Sequence, residues 1–137
     1  MLLALRLYTP GAYVGRKIEK GIKLSDDLYI PDGATILCYA QGIHLNPEIY
    51  PDENSFKPER FLNSENKTPN SSMLAFSTGS RSCIGEKFAK LEMLTIISCL
   101  IREIRLESIT PVDQIGKKYT FVQKPRNPIK IKIHKRL

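Results

Sequence analysis

The chain has 137 residues, 21 Lys+Arg against 14 Asp+Glu, a formal net charge of +7 and 42% hydrophobic residues. That length fits one domain of ordinary size, and the spread of apolar residues excludes a wholly disordered chain. Three cysteines, an odd and sparse set, exclude a disulfide scaffold, while the surplus charge raises nucleic acid, an anionic membrane surface or an acidic protein as partners.

Met1 to Leu7 is rich in helix formers and stops before Thr9-Pro10-Gly11, so it reads as the last turns of a helix. It is too short to span a bilayer and lacks the cleavage pattern of a signal peptide. Ala12 to Val14 is a short strand candidate. Leu28–Ile30 and Thr35–Tyr39 flank the turn signal Pro31-Asp32-Gly33, which predicts a hairpin between them. Asn46-Pro47-Glu48 has a capping residue followed by proline, the start of a short helix. From Tyr50 to Ser72 three prolines and many Asn and Ser predict a long meandering loop.

Ile84 to Ile104 is the clearest element. Phe88, Leu91, Leu94, Ile97, Ile101 and Ile104 recur at spacings of three and four. Met93, Ile96 and Leu100 widen that stripe, which predicts a deeply buried helix. Strands are expected around Leu106 and around Tyr119 to Val122. Ile129 to Ile133 alternates Ile and Lys and reads as a half-exposed strand. The charge is segregated: residues 1–116 carry 13 basic and 14 acidic residues, and residues 117–137 carry 8 basic and none acidic. A near-neutral body weakens a nucleic-acid-binding fold, which shows its basic surface on the domain itself.

The segment before the long helix is Phe76-Ser77-Thr78-Gly79-Ser80-Arg81-Ser82-Cys83-Ile84-Gly85. It places a cysteine in a glycine-flanked loop just ahead of a helix N-terminus. The N–H groups and dipole there favour a thiolate at Cys83. Gly79 and Gly85 permit tight turns and close backbone approach to a flat ligand. Arg81 supplies a permanent cation able to pair with a carboxylate. Phe76 brings an aromatic face beside the sulfur.

This pattern, Phe-x-x-Gly-x-Arg-x-Cys-x-Gly, resembles the haem-binding loop of the cytochrome P450 family, the haem-thiolate monooxygenases. Phe56-Lys57-Pro58-Glu59-Arg60-Phe61 resembles the family's Pro-Glu-Arg-Phe meander, and Ile30-Pro31-Asp32-Gly33-Ala34 its Ile-Pro-x-Gly-Thr hairpin. Leu5-Arg6-Leu7-Tyr8 resembles the end of its Glu-x-x-Arg helix. The likeness covers the whole chain and has the flavour of the microsomal family-four branch, common in insects. It implies an α+β fold, mainly α with small β-sheets: the C-terminal portion of the P450 fold, residues 1–137, incomplete as a stand-alone domain.

The resemblance implies that Cys83 is the metal ligand and catalytic thiolate of haem b (iron protoporphyrin IX). Arg81 and Arg16 stand where the family pairs the propionates, and Phe76 packs against the proximal haem face. Gly79 and Gly85 shape the loop. Thr9 to Val14, and the turn near Phe121 and Val122, resemble substrate-contacting segments. Partners implied are an NADPH-cytochrome P450 reductase, an apolar small-molecule substrate and O2, with no nucleic acid. Lys87, Lys90, Arg102 and Arg105 form either a solvated face or part of the reductase-docking surface. The implied location is the cytosolic face of the endoplasmic reticulum membrane, through an N-terminal anchor outside this sequence.

Departures from the family pattern are specific. Leu3 stands where the glutamate of Glu-x-x-Arg is expected, Thr9 where proline is usual, and Ala75 where proline often precedes Phe76. Arg6, without that glutamate, reads as a solvated helix end. Glu59 and Arg60 read as structural residues. The segments for oxygen activation lie outside this sequence, and Met1 within a helix suggests an incomplete chain. Two alternatives stay open: a non-catalytic haem-binding or inert fragment, and a basic-tailed nucleic-acid-binding protein. Cys38 and Cys99 read as buried small hydrophobes, and His44 and His134 as surface or loop residues. The sequons Asn66-Lys67-Thr68 and Asn70-Ser71-Ser72 are expected to be silent on the cytosolic side.

Overall fold

The computed structural model describes residues 1–62, 73–120 and 122–136. Both sequons and Phe121 lie outside the described residues. Helix α1 spans Leu2–Leu7 and buries Leu3, Leu5, Arg6 and Leu7. It stops as expected, with the Thr9 hydroxyl donating to the Leu5 carbonyl at 2.9 Å and so satisfying one of the last helical acceptors.

Four strands follow: β1 (Tyr13–Lys17), β2 (Ile22–Ser25), β3 (Leu28–Ile30) and β4 (Thr35–Tyr39). The expected hairpin between β3 and β4 does not form. β3 pairs antiparallel with β2, and β4 pairs antiparallel with β1, with Arg16 opposite Ile36 and Tyr13 opposite Tyr39. The turn itself is real, since Gly33 adopts φ 75°. Its N–H, however, donates to the Ile18 carbonyl at 2.7 Å, and Ile18 N–H donates to the Ala34 carbonyl at 2.8 Å. The turn therefore closes onto the end of β1. A turn signal marks a chain reversal, but strand pairing depends on which neighbour satisfies the open backbone edge.

Helix α2 (Ala40–His44) was not expected. It precedes Asn46-Pro47-Glu48, which forms a turn rather than a helix: the Asn46 side chain accepts the Glu48 N–H at 2.9 Å, and its carbonyl accepts the Tyr50 N–H at 2.8 Å. Among its described residues, the meander holds one short 3-10 turn, Pro58–Phe61. A second 3-10 turn, Gly79–Arg81, leads to helix α3 (Glu86–Glu103). Beyond it lie β5 (Ile104–Ser108), α4 (Val112–Ile115), β6 (Lys117–Lys118), β7 (Lys124–Pro125) and β8 (Ile131–Lys135). β5 pairs with β8 and β6 with β7, both antiparallel. Described residues Tyr119, Thr120 and Val122 form no strand; β6 and β7 flank them instead. The observed class is thus helices with small antiparallel sheets.

Burial departs most from expectation. Among the described residues, the buried apolar ones are Leu3, Leu5, Leu7, Ala12, Ile18, Ala40 and Tyr50, all in the first 50 positions. Helix α3 buries no residue, and Ile84, Phe88, Leu91, Leu94 and Ile97 of its apolar stripe are at least half exposed. The stripe has helical period, but no element among the described residues covers it, so period alone does not produce burial. Cys38 and Cys99 are likewise exposed, because the surfaces carrying them are uncovered. Ile131 and Ile133 are exposed along with Lys132 between them, so β8 is open on both faces there.

Candidate functional site

The site is assembled from two distant stretches of chain. One is the loop that runs through Phe76 into α3; the other is β1. The loop folds back on itself, with the Cys83 N–H donating to the Phe76 carbonyl at 2.9 Å and the Ser82 N–H to the Gly79 carbonyl at 3.0 Å. Gly79 takes φ 77°, a left-handed value that a side chain would strain. Gly85 has an ordinary φ of −85° and serves differently. A Cβ there would lie 3.8 Å from the Cys83 Sγ, so its absence leaves the thiol open on that side. α3 begins at Glu86, two residues later than its sequence pattern suggests, and the Glu86 N–H donates to the Cys83 carbonyl at 3.3 Å.

Five residues singled out from sequence have defined places here. Arg16, Phe76, Arg81 and Cys83 line one open pocket of about 340 Å³, together with Gly11, Tyr13, Val14, Gly15, Leu74, Ala75 and Ser77. Gly79 shapes the loop beneath it. Arg16 is the informative member, because it comes from β1 and meets the loop only through folding. Its Nη2 donates to Ser77 Oγ at 2.9 Å and its Nη1 to the Gly15 carbonyl at 2.8 Å. Ser77 itself has φ 62°, an unusual value for a non-glycine residue. Arg81 is exposed, and no hydrogen bond or ion pair among the described residues engages it. Phe76 packs under the Lys90 ammonium, 5.6 Å from the ring centroid, and Lys90 also pairs with Glu86. Cys83 is exposed and forms no disulfide.

Some of the site escaped the sequence reading: the bond from Arg16 to Ser77, and the place of Lys90 over Phe76 and beside Glu86 rather than on a free cationic face. A buried polar cluster beside the loop was not anticipated: Arg6, Thr9, Gln41 and His44 are all fully buried. Arg6 is therefore no solvated helix end. Its Nη1 donates to the His44 carbonyl at 2.7 Å, its Nη2 to the Ser55 carbonyl at 3.3 Å, and its guanidinium lies 4.9 Å from the Tyr50 ring centroid. Burial first, then the charge of Arg60, lowers its pKa. Among the described residues, the buried Nε atoms of Arg6 and Arg60 find no acceptor. Arg60 instead donates to the Asp52 carbonyl at 2.9 Å and to the Pro51 carbonyl. His44 is no surface residue either; burial and the neighbouring Arg6 push its pKa down to about 4. Thr9 is committed to His44 and Leu5 rather than to the pocket, whereas Gly11, Tyr13 and Val14 do line it. His134 pairs with Glu107 at 2.7 Å on the β8–β5 sheet.

The donor chemistry fits a haem better than a bare metal ion. Among the described residues no group of three or more His, Cys, Asp or Glu converges. Cys83 therefore offers a single sulfur, which suits a metal whose other ligands come from a macrocycle. Two arginines on the same pocket suit the carboxylates of such a group.

A sequence profile described as Cytochrome P450 matches residues 4–133. The chain therefore belongs to the cytochrome P450 family, whose members are haem-thiolate monooxygenases, and its relatives include several of the family-four type. It is 38% identical to Cytochrome P450 4d8 of Drosophila melanogaster over 107 residues, 75% of this chain and 23% of that protein. It is 37% identical to Cytochrome P450 4V2 of Rattus norvegicus over 124 residues, 89% of this chain and 21% of that protein. Among solved structures it resembles retinoic acid-bound cyanobacterial CYP120A1, with a TM-score of 0.85 and 26% identity over 98% of this chain and 31% of the other. The chain thus spans about a quarter of the curated relatives it matches. No helix among the described residues is long and apolar enough to cross a membrane.

Proposed function

We propose that residues 1–137 form the haem-binding C-terminal region of a family-four haem-thiolate monooxygenase, in which Cys83 would hold the iron of haem b as a thiolate. Arg81 and Arg16 pair the propionates, Phe76 packs against the proximal face beside the sulfur, and Gly79 and Gly85 give the loop its shape and its open side. The haem thiolate supplies oxygen activation, since a thiolate ligand pushes electron density towards iron and favours O–O cleavage. The observation that carries this reading is the meeting of Arg16, from β1, with Arg81, Phe76 and Cys83 on one pocket.

The parent activity is insertion of one oxygen atom from O2 into an apolar substrate such as a fatty acid, hormone or xenobiotic. NADPH-derived electrons arrive through a cytochrome P450 reductase at the cytosolic face of the endoplasmic reticulum membrane. Within this chain, Lys87 and Arg102 are exposed cations available for an acidic reductase, whereas Lys90 is held by Glu86 and Phe76. This chain by itself is expected to ligate haem without turning over.

A haem titration followed by the reduced carbon-monoxide spectrum tests the reading. A thiolate-type Soret band that disappears in Cys83→Ser supports it, and no haem uptake by the wild-type chain overturns it in favour of an inert fragment. Hydroxylation by the purified chain with NADPH and reductase would overturn the expectation of no turnover.

A further inference from the structure

His44 uses both ring nitrogens although it is fully buried. The Leu74 N–H donates to Nε2 at 2.8 Å, which makes that nitrogen an acceptor and puts the ring proton on Nδ1. Nδ1–H then donates to Thr9 Oγ1 at 2.6 Å, and the Thr9 hydroxyl donates onward to the Leu5 carbonyl at 2.9 Å. The Thr9 hydroxyl also has the Arg6 carbonyl at 3.4 Å; the tautomer is set by the Leu74 N–H, a fixed donor that only an unprotonated Nε2 can accept. The backbone carbonyl of His44 is held separately by Arg6 Nη1 at 2.7 Å. Leu74 sits on the wall of the Cys83 pocket. Two residues further on, the Phe76 carbonyl accepts the Cys83 N–H at 2.9 Å.

We propose that His44, as the neutral Nδ1–H tautomer, is a positioning residue that ties the entry of the Cys83 loop, through Leu74, to helix α1. The contacts join three stretches far apart in sequence, around residues 5–9, 41–44 and 74–83. Burial and the Arg6 charge keep the ring neutral at neutral pH, the state in which Nε2 can accept. Leu74 N–H has no other acceptor among the described residues, so removing the imidazole leaves a part-buried donor unpaired. The proposal extends the haem-ligand reading of Cys83 but depends on it only for the spectroscopic consequence below.

Backbone amide exchange on the full chain without haem tests the tie directly. His44→Ala is expected to speed exchange of the Leu74 and Cys83 amides by about tenfold, while Ala89 in α3 keeps its rate. A glutamine side chain reaches the place of Nε2 and an asparagine does not. His44→Gln is therefore expected to hold both amides within about twofold of wild type, and His44→Asn to behave like His44→Ala. Unchanged Leu74 and Cys83 exchange in His44→Ala, or failure of His44→Gln to rescue it, overturns the proposal. Should His44→Ala not fold, two-bond nitrogen–proton correlation on the wild-type chain decides. A neutral Nδ1–H ring at pH 7 supports the proposal, and an Nε2–H or charged ring overturns it. With haem added, His44→Ala is expected to move the thiolate-type spectrum towards the thiol form and His44→Gln to keep it. Lack of any haem spectrum in the wild type would overturn the Cys83 reading and leave the amide result standing.

Discussion

Around α1 and α2, four polar side chains are fully buried; along α3, a long apolar stripe lies open. The contrast runs against side-chain hydropathy and follows the supply of partners. Arg6, Thr9, Gln41 and His44 bond one another's backbone or side chains: Gln41 accepts the Thr9 N–H at 3.2 Å and donates to the Arg6 carbonyl at 3.1 Å. A polar group buried with its hydrogen bonds made costs little, and one left unpaired costs much. Among the described residues Leu91, Leu94 and Ile97 have no facing element, so half or more of each side chain is never transferred from water. The thiol loop lies between these two regimes. It is tied to the polar cluster through Leu74 and His44 and leads directly into the uncovered helix.

The comparison can be broken at four points. Arg6→Ala removes two hydrogen bonds and a fully buried side chain, and should lower unfolding free energy by about 3 kcal/mol in urea titration. A loss under about 1 kcal/mol would mean that the cluster adds nothing beyond its apolar neighbours.

Acid should act on the same cluster. His44 has a folded pKa of about 4, below its ordinary 6.5, so the unfolded chain binds more protons between those values. Stability is then fully present above pH 6.5 and is lost as pH falls towards 4, by up to about 3 kcal/mol. Asp52, its pKa lowered by Lys57, contributes in the same direction at lower pH. Urea midpoints from pH 7 to pH 4 isolate the imidazole when set beside His44→Gln, whose curve should be flatter over that range. Parallel curves would remove His44 from the account.

Gly79→Ala places a side chain at φ 77° with open space around it, so the cost is backbone strain alone, about 1 kcal/mol by urea titration. Leu94→Ser, in the middle of the apolar stripe, should change the stability of this chain by less than about 0.5 kcal/mol. A large loss there would show that α3 is covered in solution and would reverse the contrast between the two regions.

Much of the site was legible in the sequence because it is local. The residue types from Phe76 to Gly85 act through neighbours within ten positions: Cys83, Phe76 and Arg81 line one pocket, and Gly79 turns the loop at φ 77°. Arg16 was legible only through family resemblance, since nothing in Val14-Gly15-Arg16-Lys17 points to a loop sixty residues on. His44 was misread because a lone histidine carries no local sign of burial. Its environment is made by Thr9, Arg6 and Leu74, which are remote in sequence.

By itself the sequence determined what short-range physics controls. It marked the end of α1 at Thr9-Pro10-Gly11, the reversal at Gly33, the extent of α3 to within two residues at its start, and the thiol loop before it. Backbone dihedral preferences and side-chain period act over a few residues, so these features need no distant partner. Tertiary structure alone decided that β4 joins β1 rather than β3, that Arg16 reaches Ser77, that Arg6 and His44 are buried, and that the α3 stripe is not. Each of these turns on whether a group finds its partner across a long stretch of chain, a matter of closure and packing that local pattern does not encode.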